Sequence, residues 1–472
     1  MSSATQPVLT SDGTLVCDPK AGRSLARRTC QAIVLLPLFS LVLQPEYAQG
    51  LSDAESKSIL YRGTIGPLRI VDAALLGLIA THVIAWISSR NARVYVPRSV
   101  AIPGIGFLAA IVIGAIYGSL HGGANLFFDW RALAIGIGIY VVFAMWTQTQ
   151  DDVRSAVLLF AVFMTVRVAL IGWAFMRGGG DMVVGIRIPV YDGPTLSALV
   201  FTAMLAQCMQ DSSADKMQRL LWTSLSMACC LLVLLCFRRT FWAELGIGTL
   251  LLFLFRKQGR VRQLTLAMLV VATVTGILGP TFFDRVQSLD FSNGETEFSQ
   301  GNPDHVGEVL DAWEQVREQP LLGIGLGRSF QTLRVQTWKE ESVMVHNAPL
   351  HVWLKYGLLG LVSYVWFHFA VLRWLWRTRR HDAVERVRLP RFGQVLSSGA
   401  FPIGIKAHTV SGEGSWATAI ANAALAYLVA QFVVSVGFAP WPYSSLQSTT
   451  LIAFVLAMAM AGAHSCKLQL SQ

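Results

Sequence analysis

Long runs of apolar residues broken by short polar stretches dominate the 472-residue chain. A bilayer core takes about 20 consecutive apolar residues per helix. On that measure, candidate spans fall near residues 30–44, 67–88, 100–120, 126–147, 153–176, 194–210, 219–237, 240–255, 263–280, 351–373, 416–437 and 443–463. The pattern predicts an all-α polytopic membrane protein of about 12 transmembrane helices with one long, partly helical outer loop, and an even number of spans puts both termini on one side. Its parts are an N-terminal tail (1–29), a first bundle of nine helices (30–280), an outer segment (281–350), one helix (351–373), a basic loop (374–415), two last helices (416–463) and a short tail (464–472).

The two long polar segments differ in kind. Residues 374–415 are strongly basic and lack apolar periodicity, which predicts an inner connector that touches anionic lipid. The segment 281–350 carries Asp284, Asp290, Glu295, Glu297, Asp304, Glu308, Asp311 and Glu314. Within it Val306, Val309, Leu310, Trp313 and Val316 recur at helical spacing, after Asn302-Pro303 and before Pro320, so a helix is predicted over Asp304–Gln319. One apolar stripe on such a helix lies against the membrane or over the mouth of the bundle.

Composition agrees: 53% of residues are hydrophobic and 14% charged, too few charges to wet a soluble protein of this length. The net charge of +10 is explained by orientation rather than nucleic acid. Arginine-rich runs at Arg23–Arg28, Arg90–Arg98, Arg256–Arg262 and Arg373–Arg391 fall on the side that the span count assigns to the cytoplasm, which also holds both termini. The seven cysteines have neither disulfide-framework nor zinc spacing.

Arginines on the opposite side then need another reason. Arg238 and Arg239 sit between two apolar spans with almost no loop, where a guanidinium calls for an anionic partner; headgroup snorkelling or pairing with Glu244 is the structural alternative. Arg187 precedes a span in Gly185-Ile186-Arg187-Ile188-Pro189, and Arg328 follows the glycine run Gly323-Ile324-Gly325-Leu326-Gly327, which reads as a turn rather than a phosphate loop. His346-Asn347 stands where the outer segment re-enters the membrane, as a helix-start hydrogen-bonding group or as a catalyst.

Together these residues resemble the O-antigen ligase and O-antigen polymerase superfamily. His346-Asn347 with Leu350 and Gly357-Leu358-Leu359-Gly360, preceded by Trp313 and Pro320-Leu321-Leu322-Gly323-Ile324-Gly325, is similar to its signature. Arg238-Arg239-Thr240 is similar to its arginine motif after a span, and Arg187 with Gly193-Pro194 to an upstream arginine motif. Phe237 departs from the serine common before the arginine, and His305 stands where family members often have an arginine.

The resemblance implies an enzyme of the bacterial inner membrane, facing the periplasm, for lipopolysaccharide or surface polysaccharide assembly. It implies transfer of a glycan from undecaprenyl diphosphate to an acceptor hydroxyl, on lipid A core for a ligase or on a lipid-linked repeat for a polymerase. No cofactor or metal is implied. Catalytic roles fall to His346, the general base oriented by Asn347, and to Arg238 on the diphosphate; Arg187, Arg239, Arg328 and Asn347 bind substrate. Arginine forks hold diphosphate oxygens bidentately and stay charged, and histidine titrates in the right range to take a hydroxyl proton.

Two other classes remain. A metal-dependent membrane glycosyltransferase would use an acidic pair such as Asp53 and Glu55 in the first outer loop. A transporter or flippase would place ionisable groups at mid-membrane, where Arg167 is the strongest candidate.

Overall fold

The computed structural model describes residues 70–88, 96–124, 126–147, 149–178, 193–213, 215–255, 301–334, 345–387, 413–437 and 446–470, together with short strands at 8–9, 15–16, 64–65, 68–69, 181–183, 186–188 and 341–342. The candidate spans 30–44 and 263–280, and Asp53 and Glu55, lie outside the described residues. Every other candidate span coincides with a helix: α1 (Ile70–Ser88), α2 (Arg98–Leu120), α3 (Leu126–Trp146), α4 (Gln150–Met176), α5 (Gly193–Ser212), α6 (Lys216–Leu235), α7 (Arg239–Phe255), α9 (Ala348–Val387), α10 (Glu413–Gly437) and α11 (Leu446–Leu470). Among the described residues, six helices are long and apolar enough to cross a membrane, on α2, α3, α4, α6, α9 and α10. The outer-segment helix, α8, runs Gly301–Glu318.

Helix ends follow local chemistry. Thr149 and Asp152 form a reciprocal capping box at the start of α4, and Asp215 accepts from Met217 N at the start of α6. Helix α9 continues nearly four turns past residue 373, so the basic connector begins as a helical extension of the span.

Helix α10 sits centrally, packed on α5, α7 and α9. Its buried face is rich in alanine, including Ala419, Ala423, Ala424, Ala426 and Ala430, which lets neighbouring backbones approach where no hydrophobic drive from water assists. Helix α2 instead turns Ile105, Val112 and Ile116 outward, as a lipid-facing helix does.

A second, smaller core forms at one end of the bundle. Ala312 and Val316 of α8, Ile324 of the glycine run, Phe330, Val345, and Leu350 and Leu354 of α9 enclose one another. The glycine run is the joint between this core and the bundle. Gly325 has φ 86°, and a Cβ there would come 2.6 Å from Gly118 Cα of α2. Gly357, at φ 68°, breaks the helical path of α9 and leaves room for Leu321 O, which a Cβ would meet at 1.9 Å.

Candidate functional site

The residues of this end converge from distant parts of the chain. Glu308 lies on the face of α8 turned toward the bundle and is completely buried. One of its oxygens, Oε2, lies 2.9 Å from His346 Nδ1 and accepts from His346 N at 3.1 Å. The His346 side chain is 26% exposed, so the ring keeps a solvent-accessible edge while its Nδ1 side is held. With Nδ1 protonated and donating to the carboxylate, Nε2 is left as the basic nitrogen.

Asn347, expected to orient His346, makes its own hydrogen bonds elsewhere. Asn347 is the start-cap of α9: its Oδ1 accepts from Leu350 N at 3.0 Å, and its Nδ2 donates to Val436 O of α10 at 2.6 Å. The group set against the imidazole is Glu308. His351, buried one turn further on, accepts at Nδ1 from Val345 N at 3.3 Å and so steadies the residue before His346.

The same face of α8 makes other polar bonds. Asp311 accepts from Arg334 N at 2.9 Å and pairs with its guanidinium, which also reaches Glu314 at 2.6 Å. That guanidinium holds the Glu314 carboxyl below the usual carboxylate range. Gln315 Nε2 donates to Gln331 O at 3.3 Å. Positions 308, 311 and 315 thus share one helix face, opposite Val306, Leu310 and Trp313.

Under His346 the glycine run is used structurally. Ile324 N donates to Leu354 O at 2.7 Å, Leu326 N to Gly114 O at 3.0 Å and Gly327 N to Asp129 Oδ2 at 2.8 Å, which spends the amides that an anion cradle would need. Lys355, fully buried, pairs with Asp129 at 3.1 Å and also donates to Arg328 O. Arg328 itself donates from Nη1 to Ile324 O at 3.2 Å.

Arg238 ends the turn between α6 and α7, and Arg239 is the first residue of α7. Phe237 takes φ 52°, a left-handed conformation unusual for a bulky residue, and this reverses the chain within three residues. Trp242 Nε1 closes the turn on Val233 O and Leu234 O, both at 3.2 Å. The Arg238 guanidinium lies over the Phe241 ring at 5.7 Å, and a side chain at Gly193 would meet its Nη1 at 3.7 Å. The Gly193-Pro194 motif and the Arg238-Arg239 motif are therefore neighbours in space. Arg167 joins them from α4, donating to Thr195 Oγ1 at 2.8 Å in the first turn of α5. Glu244 is bonded to Ser197, whose hydroxyl also meets Tyr427 at 2.9 Å. Arg187 lies in a strand paired with Asp181–Val183, its backbone opposite Met182, and its side chain is outside the described residues.

Helix α10 packs on both α7 and α9. Phe255 at the end of α7 meets Trp376 edge-on at 5.4 Å and lies under Arg379, far along α9 from its start, so the helices that begin at the arginine turn and at His346 run in the same direction. Comparison with known proteins bears on both directly. Residues 223–365 match the O-antigen ligase family. The match spans Arg238, Arg239, Glu308, Arg328, His346 and Asn347, and leaves Arg187 outside. An O-antigen ligase of Salmonella typhimurium is 30% identical over 97 residues, 19% of this chain. The matched stretch covers 22% of that relative's length. The resemblance to the O-antigen ligase and polymerase superfamily read from the motifs is thereby met by a family match and by a curated relative.

Sequence reading did not single out Glu308 or Lys355. The signal for Glu308 was its place opposite the apolar stripe of an amphipathic helix; for Lys355, a lysine inside an apolar span.

Proposed function

We propose that this protein is a metal-independent transferase that moves a glycan from undecaprenyl diphosphate to an acceptor hydroxyl on the periplasmic face of the bacterial inner membrane. The observation that carries the reading is the buried Glu308 carboxylate against His346 Nδ1. His346 Nε2 removes the acceptor proton as that oxygen bonds to the anomeric carbon. The bond from that carbon to the diphosphate oxygen breaks, and the electron pair leaves with the lipid diphosphate. Arg238 stabilises the charge gathering on the leaving oxygen, with Arg187 on the diphosphate and Arg239 or Arg328 as accessory contacts. A carboxylate beside the imidazole favours the imidazolium that forms during transfer, as in other acid–base pairs. Asn347 serves this site by fixing the start of α9. In this reading both termini are cytoplasmic and the chain crosses the membrane twelve times.

The name of that relative favours the ligase reading, in which lipid A core is the proposed acceptor. The test is incubation of the protein in nanodiscs with an undecaprenyl-diphosphate glycan, EDTA and either acceptor, with products read by mass. Transfer to lipid A core is expected. Elongation of a lipid-linked repeat instead makes the protein a polymerase. Loss of turnover with EDTA, restored by magnesium or manganese, overturns metal independence. Failure to transfer to either acceptor, with movement of the lipid-linked glycan across the bilayer, makes it a transporter.

A further inference from the structure

We propose that the outward face of α8 docks on lipid of the outer leaflet, and that the bilayer thereby sets the height of the helix that holds Glu308. Val306, Leu310 and Trp313 lie one and two turns apart on this helix and are 47%, 47% and 42% exposed. Their opposite face carries Glu308, Asp311 and Ala312, all buried. A helix bathed in water on that side gains nothing from valine, leucine and tryptophan in register.

Continuity with the lipid-facing surface of α9 identifies the occupant. After α8 the chain passes through Leu321 and Leu322, 68% and 46% exposed, and is pinned to α9 where Leu358 N donates to Pro320 O at 3.0 Å. Leu358, Leu359 and Val362 continue the exposed apolar surface down α9 toward the middle of its membrane span. Trp313 meets Trp353 edge-on at 5.4 Å, and Trp353 donates to Pro320 O at 2.9 Å, so two indoles sit where the lipid-facing surface gives way to α8. Tryptophan concentrates at that depth of a bilayer. Arg317 follows one turn after Trp313 on the same exposed stripe, where its guanidinium suits a lipid phosphate.

The docking stands whether or not the protein transfers a glycan; its assignment to the outer leaflet rests on the orientation proposed above. It is tested with single spin labels at Leu310→Cys and Glu314→Cys in the full chain in nanodiscs, with Cys17, Cys30 and Cys466 replaced by serine. The label at 310 is expected to collide more with oxygen, which concentrates in lipid, and that at 314 more with a water-soluble nickel chelate. Greater access of the nickel chelate than of oxygen at 310 overturns the proposal. As a second measurement, Val306→Asp with Leu310→Asp replaces exposed side chains only. This variant is expected to transfer from a bilayer-embedded donor ~10-fold more slowly, while transfer from a short-chain donor in detergent is unchanged. Equal loss in both formats shows a structural role and overturns the link to the bilayer. An oxygen preference at 310 in a protein that transfers no glycan leaves the docking standing and removes the proposed function.

Discussion

The turn that presents Arg238 is closed by local bonds, whereas the group set against His346 comes from a separate helix and the loop below it is held from remote parts of the chain. The arginine turn is closed by Trp242 on carbonyls eight and nine residues earlier. His346 depends on Glu308, 38 residues away, while its neighbour Asn347 reaches Val436 across 89 residues. The loop beneath is held by Asp129, 198 residues from Gly327 and 226 from Lys355. A cationic clamp needs charge at roughly the right place, which a short turn supplies. A general base needs one nitrogen protonated and the other aimed, and that precision comes from several elements packed together.

The contrast predicts that remote substitutions damage the histidine side and spare the arginine side. Lys355→Met should have the largest effect, because it leaves Asp129 as an uncompensated charge against the glycine run. Removing one partner of a buried pair costs ~3–5 kcal/mol. A lowered unfolding midpoint in nanodiscs is expected, with partial recovery when Asp129→Asn is added. Next comes Glu308→Gln, which keeps the shape but removes the charge opposite the ring: the single-turnover rate should fall ~10²-fold with donor affinity unchanged. Loss of donor binding in this variant would erase the distinction between the two regions. Arg238→Lys retains charge without the planar fork, so a loss of ~10-fold is expected, felt in donor affinity and turnover alike.

Arg334→Ala should change least, since its pairs with Asp311 and Glu314 are open to water on the arginine side. Because the folded Glu314 carboxyl is held below its ordinary value, the contribution of this pair is present above the unfolded carboxylate range. It is lost as pH falls through the folded value. The stability difference between wild type and Arg334→Ala should therefore be visible at neutral pH and vanish on acidification, in unfolding curves measured across that range.

Much of the helical layout was legible because apolar runs long enough to cross a bilayer leave few other readings. The helix expected over Asp304–Gln319 appears at Gly301–Glu318 for the same reason: its periodic stripe was strong. Arg238 and His346 stood out as polar residues at span boundaries. Glu308 did not, because it is one acid among eleven in the outer segment and its partner is fixed only by tertiary packing. Asn347 reads from sequence as the residue orienting the histidine, but an asparagine three residues before Leu350 also fits a helix cap, and its Oδ1 makes that bond. The glycine run was legible as a turn, but the two helices it wedges between, α2 and α9, were not, since close backbone approach leaves only small residues as its trace.

The division between clamp and base is tested most directly by measuring donor binding and single-turnover transfer on the same preparations of Arg238→Ala and His346→Ala, matched for expression and fold. The account predicts that His346→Ala binds the undecaprenyl-diphosphate glycan as wild type does and transfers it ~10²-fold or more slowly, while Arg238→Ala loses donor affinity and rate together. Near-normal transfer by His346→Ala, or wild-type donor affinity in Arg238→Ala, would contradict it.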